Sequence, residues 1–245
     1  MISVILFDLV GTLIEESAPA LSTDNGYYGI QVKAIHDSLE KDGLSVEWSS
    51  FRKRYEMIRI KQKERSERTL REYDMCKRVA DTLRFFRYNI PPTSEIIGRA
   101  VDAYMRPYIN SLKINQSTYG VLGTLAAGYE LGVVTNFAYS SGAYQALDRF
   151  ALRPFFKAVV VSGEIGWKKP SERIFAVALR RLSIPPEKAI FVGDDYEADI
   201  VGAKRMGLKA VLVSRAEDEV VCFDARPDLV VSNLQELMGH LDELI

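Results

Sequence analysis

The sequence predicts an α/β protein: a parallel sheet with helices on both faces, interrupted after its first strand by an all-helical insertion. Three observations carry that prediction. From Glu130 onward, short apolar runs rich in Val and Ile alternate with helical stretches. An isolated apolar run, Val4–Asp8, stands near the start of the chain. The residues between them have helical periodicity and a different charge balance.

The opening run follows Met1 without the basic start of a signal peptide, and its apolar stretch is too short for one. It reads as the first strand. A helix is expected over residues 27–41, stopping at Gly43. Farther on, Tyr73, Cys76, Ala80, Leu83, Phe86 and Ile90 recur three or four apart, the apolar stripe of a helix that Pro91-Pro92 ends. Thr93 or Ser94 can cap the next helix, which runs towards Tyr108. Residues from about 16 to about 112 therefore read as all-helical. Charge marks the same region. Residues 51–90 hold 13 Lys/Arg against 6 Asp/Glu, a net +7, which leaves -8 for the rest of a chain whose total is -1. The expected division is an α/β core of residues 1–15 and 113–245, with residues 16–112 as a separate helical domain.

The later strand candidates are Glu130–Thr135, Lys157–Val161, Ala189–Val192, Lys209–Val213 and Asp228–Val231. Several are continuously apolar, as strands buried on both faces are. Between them Gly142–Phe150, Ser171–Leu182 and Ala198–Met206 have helical periodicity. The first strand must join this sheet across the insertion.

With 245 residues, 47% of them hydrophobic and 27% charged, the chain can bury a proper core, which excludes a disordered, collagen-like or disulfide-stapled protein. Cys76 and Cys222 are the only cysteines. They suit a reducing, cytoplasmic setting and offer no paired metal ligands. His36 and His240 are the only histidines, so a multi-His zinc site is excluded, and both are expected on helix surfaces. No apolar run approaches the roughly 18 residues of a membrane span. The basic 51–90 window is either a solvated face or an attractor for a polyanionic substrate. No nucleic-acid motif accompanies it, so no nucleic-acid partner is expected.

In a parallel sheet, function sits at the carboxyl ends of the strands. The first strand ends in Asp8-Leu9-Val10-Gly11-Thr12 and the second in Thr135-Asn136. Lys168-Lys169-Pro170 precedes the helix at Ser171, and the fourth strand runs out into Gly193-Asp194-Asp195, with Asp199 beyond. One crevice would collect all of these. Two carboxylates near contact repel by about 4 kcal/mol at an effective dielectric constant of about 20. Asp8 beside Asp194, Asp195 and Asp199 needs compensation, and a hard divalent cation such as Mg2+ supplies it while also suiting phosphate substrates. Lys169 adds one positive charge, and Thr135 and Asn136 add neutral donors for a phosphate oxygen. Asp8 is left as the nucleophile facing phosphorus.

Asp8–Thr12, Thr135-Asn136, Lys169-Pro170 and Gly193-Asp194 with Asp199 resemble the four ordered motifs of the haloacid dehalogenase-like hydrolase superfamily. The helical insertion resembles that family's helical cap. One motif alone is weak; four in order, each at a strand end or loop, are specific. The resemblance implies a flavodoxin-like (Rossmann-like) sheet with the first strand central and an aspartyl intermediate on Asp8. It implies Mg2+ held by Asp8, the backbone carbonyl of Val10 and Asp194, with Lys169 catalytic. Thr12, Thr135 and Asn136 are the implied phosphate contacts, and Asp195 and Asp199 the supporting acids.

One position departs from the pattern. Phosphatases of this superfamily usually read Asp-x-Asp-Gly-Thr, and the second Asp is the general acid/base. Here it is Val10, which cannot transfer a proton. Phosphonate hydrolases have a small residue there and rely on a cap lysine. Haloacid dehalogenases have an aromatic there, need no metal, and expect Ser and Asn in the fourth motif and Tyr six residues after the lysine. This chain has Asp194 and Asp195 in that motif and Phe175 at that spacing. The reading favoured is Mg2+-dependent hydrolysis of a small phosphorylated metabolite through an aspartyl-phosphate on Asp8. Its rivals are a metal-independent 2-haloacid dehalogenase using the same nucleophile, and a non-catalytic binding or regulatory protein on a degenerate core.

Overall fold

The computed structural model describes residues 1–16, 27–214 and 225–244. The chain begins with β1 (Val4–Phe7) and β2 (Glu15–Glu16), then runs through α1 (Tyr27–Lys41), α2 (Trp48–Thr69), α3 (Met75–Phe85) and α4 (Glu95–Ser111) to β3 (Leu112–Lys113). There follow α5 (Ser117–Ala126), β4 (Glu130–Thr135), α6 (Ser140–Arg149), β5 (Ala158–Val161), α7 (Ser162–Ile165), α8 (Glu172–Leu182) and β6 (Ala189–Gly193). A π-helical turn, Tyr196–Val201, leads into α9 (Gly202–Arg205), and β7 (Lys209–Val213), β8 (Leu229–Val231) and α10 (Leu234–His240) complete the order.

Six strands pair in parallel in the order β5-β4-β1-β6-β7-β8. The first strand is central, as expected. Its register sets Phe7 beside Val133 on one side and Val192 on the other, so the carboxyl ends of three strands finish together. Period-two alternation divides the strands between two cores. Val4 and Leu6 pack with Ile174, Phe175 and Leu179 of α8, while Ile5 and Phe7 join the core that contains α5, α6, α10 and the inserted helices. Both faces are covered, which is why these strands read as unbroken apolar runs.

The insertion is not helical to its ends. β2 and β3 pair antiparallel, Glu15 with Lys113 and Glu16 with Leu112, and close its base. The helix expected to reach Ile90 stops at Phe85. Leu83 O accepts from both Phe86 N and Tyr88 N, and Arg87 adopts φ 66°, so the chain turns before the prolines can act. The same helix starts after Tyr73, where the Asp74 side chain accepts from Cys76 N at 2.6 Å. Among the described residues no helix is long and apolar enough to cross a membrane.

His36 corrects another expectation. It is buried rather than on the surface, its Nε2 lies 2.7 Å from Val46 O, and its ring sits against Trp48 and Phe51. Cys76 is half-buried, and loss of hydration pushes its thiol pKa up to about 12, so it is not a reactive thiol. Cys222 lies outside the described residues.

Candidate active site

Asp8 follows β1 directly. Its backbone N–H donates to Val192 O at 2.9 Å and extends the parallel ladder by one residue, so the side chain stands at the strand ends, 7% exposed. The next residues coil tightly. Leu13 N and Ile14 N both donate to Leu9 O, and Gly11 N donates to Ile14 O at 2.7 Å. Gly11 has φ +100°, and a Cβ there would lie 2.2 Å from Asp194 Oδ2. Only glycine satisfies both constraints. The loop brings Thr12 round to donate to Asp194 Oδ1 at 2.9 Å.

Lys169 reaches the same place from the loop before α8. Its Nζ lies 2.5 Å from Asp8 Oδ1 and 2.6 Å from Asp199 Oδ1, and the residue is 3% exposed. Burial pulls the lysine pKa down, but the charges of Asp199 and Asp8 outweigh it and hold the ammonium above its ordinary range. Burial pushes Asp199 up, against the pull of Lys169. Asp199 Oδ2 accepts from Asp195 N at 3.1 Å, and a Cβ on Gly193 would stand 2.2 Å from that oxygen. Gly193 thus gives the carboxylate its room.

Asp8, Asp194 and Asp199 each offer an oxygen within 4.8 Å of the others. One ammonium faces three carboxylates. Asp194 is the solvent-facing member, yet loss of hydration and then the charge of Asp8 push its pKa up to about 6. Hard oxygen donors with uncompensated negative charge fit a divalent cation such as Mg2+. Asp8 and Asp194 carry oxygens that could hold it.

Two of the expected residues also make contacts within the protein. Asp195 does not join the carboxylate cluster; its Oδ1 accepts from Ala198 N at 2.8 Å and caps the π-helical turn. Its contribution to the site is the backbone N–H on Asp199. Asn136 clamps the Lys169 backbone, donating from Nδ2 to Lys169 O at 3.1 Å and accepting from Lys169 N at 2.7 Å. One amide hydrogen remains for a phosphate. Thr135 is buried at the end of β4, and its hydroxyl has no hydrogen-bond partner among the described residues. Lys168 is half-buried beside the insertion.

The insertion supplies a residue the motifs do not reveal. Tyr108 of α4 donates to Glu16 Oε1 at 2.7 Å. Its pKa is raised by burial first, then by Glu16, with the charge of Asp8 also felt. Tyr108 is therefore within electrostatic range of the nucleophile. Its only trace in the sequence was its place at the end of an expected helix.

The sequence pattern described as haloacid dehalogenase-like hydrolase matches residues 5–213. The glyceraldehyde 3-phosphate phosphatase of Methanopyrus kandleri is 32% identical over 248 residues, covering 100% of this chain and 99% of that protein. The ribulose-1,5-bisphosphate 5-phosphatase of Halopiger xanaduensis is 32% identical over 118 residues, 48% of this chain and 49% of that one. Among solved structures, a 2-haloacid dehalogenase from Pseudomonas syringae pv. Tomato superposes with TM-score 0.73 at 22% identity, covering 100% of both chains. A HAD phosphatase from Thermococcus onnurineus gives 0.63 at 21% identity and 98% of both. At these identities the structural likenesses establish the fold alone.

Proposed function

This chain belongs to the haloacid dehalogenase-like hydrolase family, and on that premise we propose that it is a Mg2+-dependent phosphatase of a small phosphorylated metabolite. The observation that carries the reading is the buried Asp8–Lys169–Asp199 array with Asp194 left uncompensated beside it. Lys169 engages Oδ1 of Asp8, and Oδ2 has no hydrogen-bond partner among the described residues. Oδ2 attacks phosphorus as the ester P–O bond breaks, and the electron pair leaves on the substrate oxygen. Water then attacks phosphorus, releasing inorganic phosphate and restoring the Asp8 carboxylate. Bound Mg2+ would neutralise charge developing on the phosphoryl oxygens. Lys169 offsets repulsion between Asp8 and the incoming phosphate, Asn136 fixes Lys169, and Thr12 orients Asp194. Thr135, Asn136 and Thr12 are the candidate phosphate contacts.

The helices between β2 and β3 act as the cap, with residues 16–112 as one unit and residues 1–15 and 113–245 as the core. A cytoplasmic location goes with metabolite chemistry of this kind. The relative aligned end to end is named a glyceraldehyde 3-phosphate phosphatase, which supports a sugar-phosphate-sized substrate. The dehalogenase alternative leaves the Asp194 carboxylate without a purpose. A panel of phosphate esters and 2-chloropropionate, each assayed with Mg2+ and with EDTA, tests the proposal. Phosphate release that needs Mg2+ is expected. Metal-independent chloride release, or no phosphate release from any ester, would overturn it.

A further inference from the structure

Between the insertion and the core lies a cleft of about 370 Å³, whose lining includes the cations Arg59, Lys63, Arg78 and Lys168 and the carboxylates Glu67 and Glu72. Both of those carboxylates already have partners. Glu67 faces Lys63 at 3.8 Å, and Glu72 accepts from Ser162 Oγ at 2.9 Å and from Tyr73 N. Arg59 is paired with Glu56, which also accepts from the Tyr28 hydroxyl. Arg78 and Lys168 have no carboxylate within 4.0 Å among the described residues. The Arg78 guanidinium is half-buried, donates from Nε to Gln62 Oε1 at 2.9 Å and lies 5.7 Å from the Tyr55 ring. The charge of Arg78 reaches Glu56, which is already paired with Arg59, so a further anion would help to offset this partly desolvated cation.

This cleft has a neighbour on the side of the core. Tyr104 lines both it and a neighbouring cavity shared with Gln31, Tyr108 and Asn136. Tyr104 and Tyr108 are one turn apart on α4, a rise of about 6 Å. Gln31 lies in that connecting stretch, fully buried, with both amide atoms unpartnered. Asn136 of that second cavity clamps Lys169, which engages Asp8, so the residues of the two cavities link the nucleophile to Arg78 and Lys168, one cation from the insertion and one from the core.

We propose that Arg78 and Lys168 form a second anion site, and that the substrate is a short-chain phosphate ester bearing a further carboxylate or phosphate at its far end. The inference rests on the phosphatase reading for the identity of the reacting group. Gln31 meets a polar group midway, a hydroxyl or carbonyl.

Binding and turnover separate the two ideas. Equilibrium binding of glycerol 3-phosphate, 3-phosphoglycerate and propanediol bisphosphate is measured on the Asp8→Asn protein, which holds ligand without consuming it. At least one of the doubly anionic probes is expected to bind about tenfold tighter than glycerol 3-phosphate. The one favoured distinguishes carboxylate from phosphate at the far end. Adding Arg78→Met should erase the preference while leaving glycerol 3-phosphate binding within about twofold, and Lys168→Met, which carries less risk to folding, should reduce it. Equal affinity for all three probes, or a uniform loss in both variants, would overturn the second site. Turnover by the unaltered enzyme tests the phosphatase reading independently: absence of phosphate release sinks that reading, whereas release without discrimination sinks only this one.

Discussion

Lys169 Nζ lies 2.6 Å from Asp199 Oδ1, with the two side chains only 2% and 1% exposed. Such a pair gains little over an apolar alternative but is costly to break from one side, typically about 3–5 kcal/mol. Asp199→Asn should therefore destabilise the protein by about 3 kcal/mol and lower turnover by releasing the ammonium that steadies Asp8. Lys169→Met should be worse, since it leaves Asp8 and Asp199 facing each other. Urea denaturation of both variants checks the order. A stability loss under about 1 kcal/mol in each would show that the pair is not sealed as described.

Asp194 gives a pH signature. Its folded pKa of about 6 stands above that of an ordinary aspartate. Raised in the folded state, the group adds stability that is fully present below its unfolded pKa and is lost as pH rises through about 6. Without metal, Asp194→Asn should match the parent near pH 4 and exceed it in stability at pH 7. Mg2+ should invert that order at pH 7, since only the parent has the ligand; at 100 times Kd the gain is about 2.7 kcal/mol. Melting curves in EDTA and in Mg2+ at both pH values test this, and superimposable curves for parent and variant at pH 7 would argue against a metal site.

The strands were readable because burial on both faces leaves continuous apolar runs, and Glu130–Thr135 and Lys209–Val213 form with the bounds their composition implies. The acids and lysine that meet at Asp8 were readable because each follows a strand or precedes a helix at one sheet edge. Roles set by side-chain geometry were not. Composition alone does not separate Asp194 from Asp195, and only the motif resemblance singles out Asp194; in the structure the turn that follows uses Asp195 as its cap. The β2–β3 ribbon has two residues per strand, and Glu15 and Glu16 are exposed, too short a pattern to register. His36 did carry a signal. It lies on the Val32, Ile35, Leu39 face, and the aromatics of α2 enclose that face.

Gly11 couples backbone shape to Asp194, the proposed metal ligand. Alanine there meets both a φ of +100° and an Asp194 oxygen 2.2 Å from the new Cβ. The cost should be about 1–3 kcal/mol of stability, with Asp194 displaced and Mg2+ affinity reduced. Gly43→Ala provides the control, since it also has positive φ but nothing within 4 Å of its Cβ. Calorimetric titration with Mg2+ should separate them: weakened binding in Gly11→Ala and unchanged binding in Gly43→Ala. Equal Mg2+ affinity in the two would mean that the glycine serves the turn alone.

Val10 is expected to set which phosphates turn over. It is half-buried in the loop after Asp8, bridged to Ile14, at the position where the motif that the sequence resembles implies a proton-transferring Asp. A positioned general acid contributes about 10²–10⁴-fold, or roughly 3–5 kcal/mol of barrier. That help matters most for an alkoxide leaving group. It matters little for an aryl or acyl phosphate, whose leaving oxygen carries negative charge readily. The same carboxylate would serve as base for the water that attacks the aspartyl-phosphate, so the intermediate should persist here. The expectation is slow turnover of alkyl phosphates, faster turnover of activated ones, and a burst of product when breakdown of the intermediate limits the rate. Val10→Asp should raise alkyl-phosphate turnover selectively if its side chain takes the place of the missing acid. Single-turnover and steady-state rates on an alkyl and an aryl phosphate measure both effects. Equal rates of leaving-group release from the two esters in single turnover would mean that the proton comes from the substrate or from a residue of the inserted helices, with Tyr108 the first to replace.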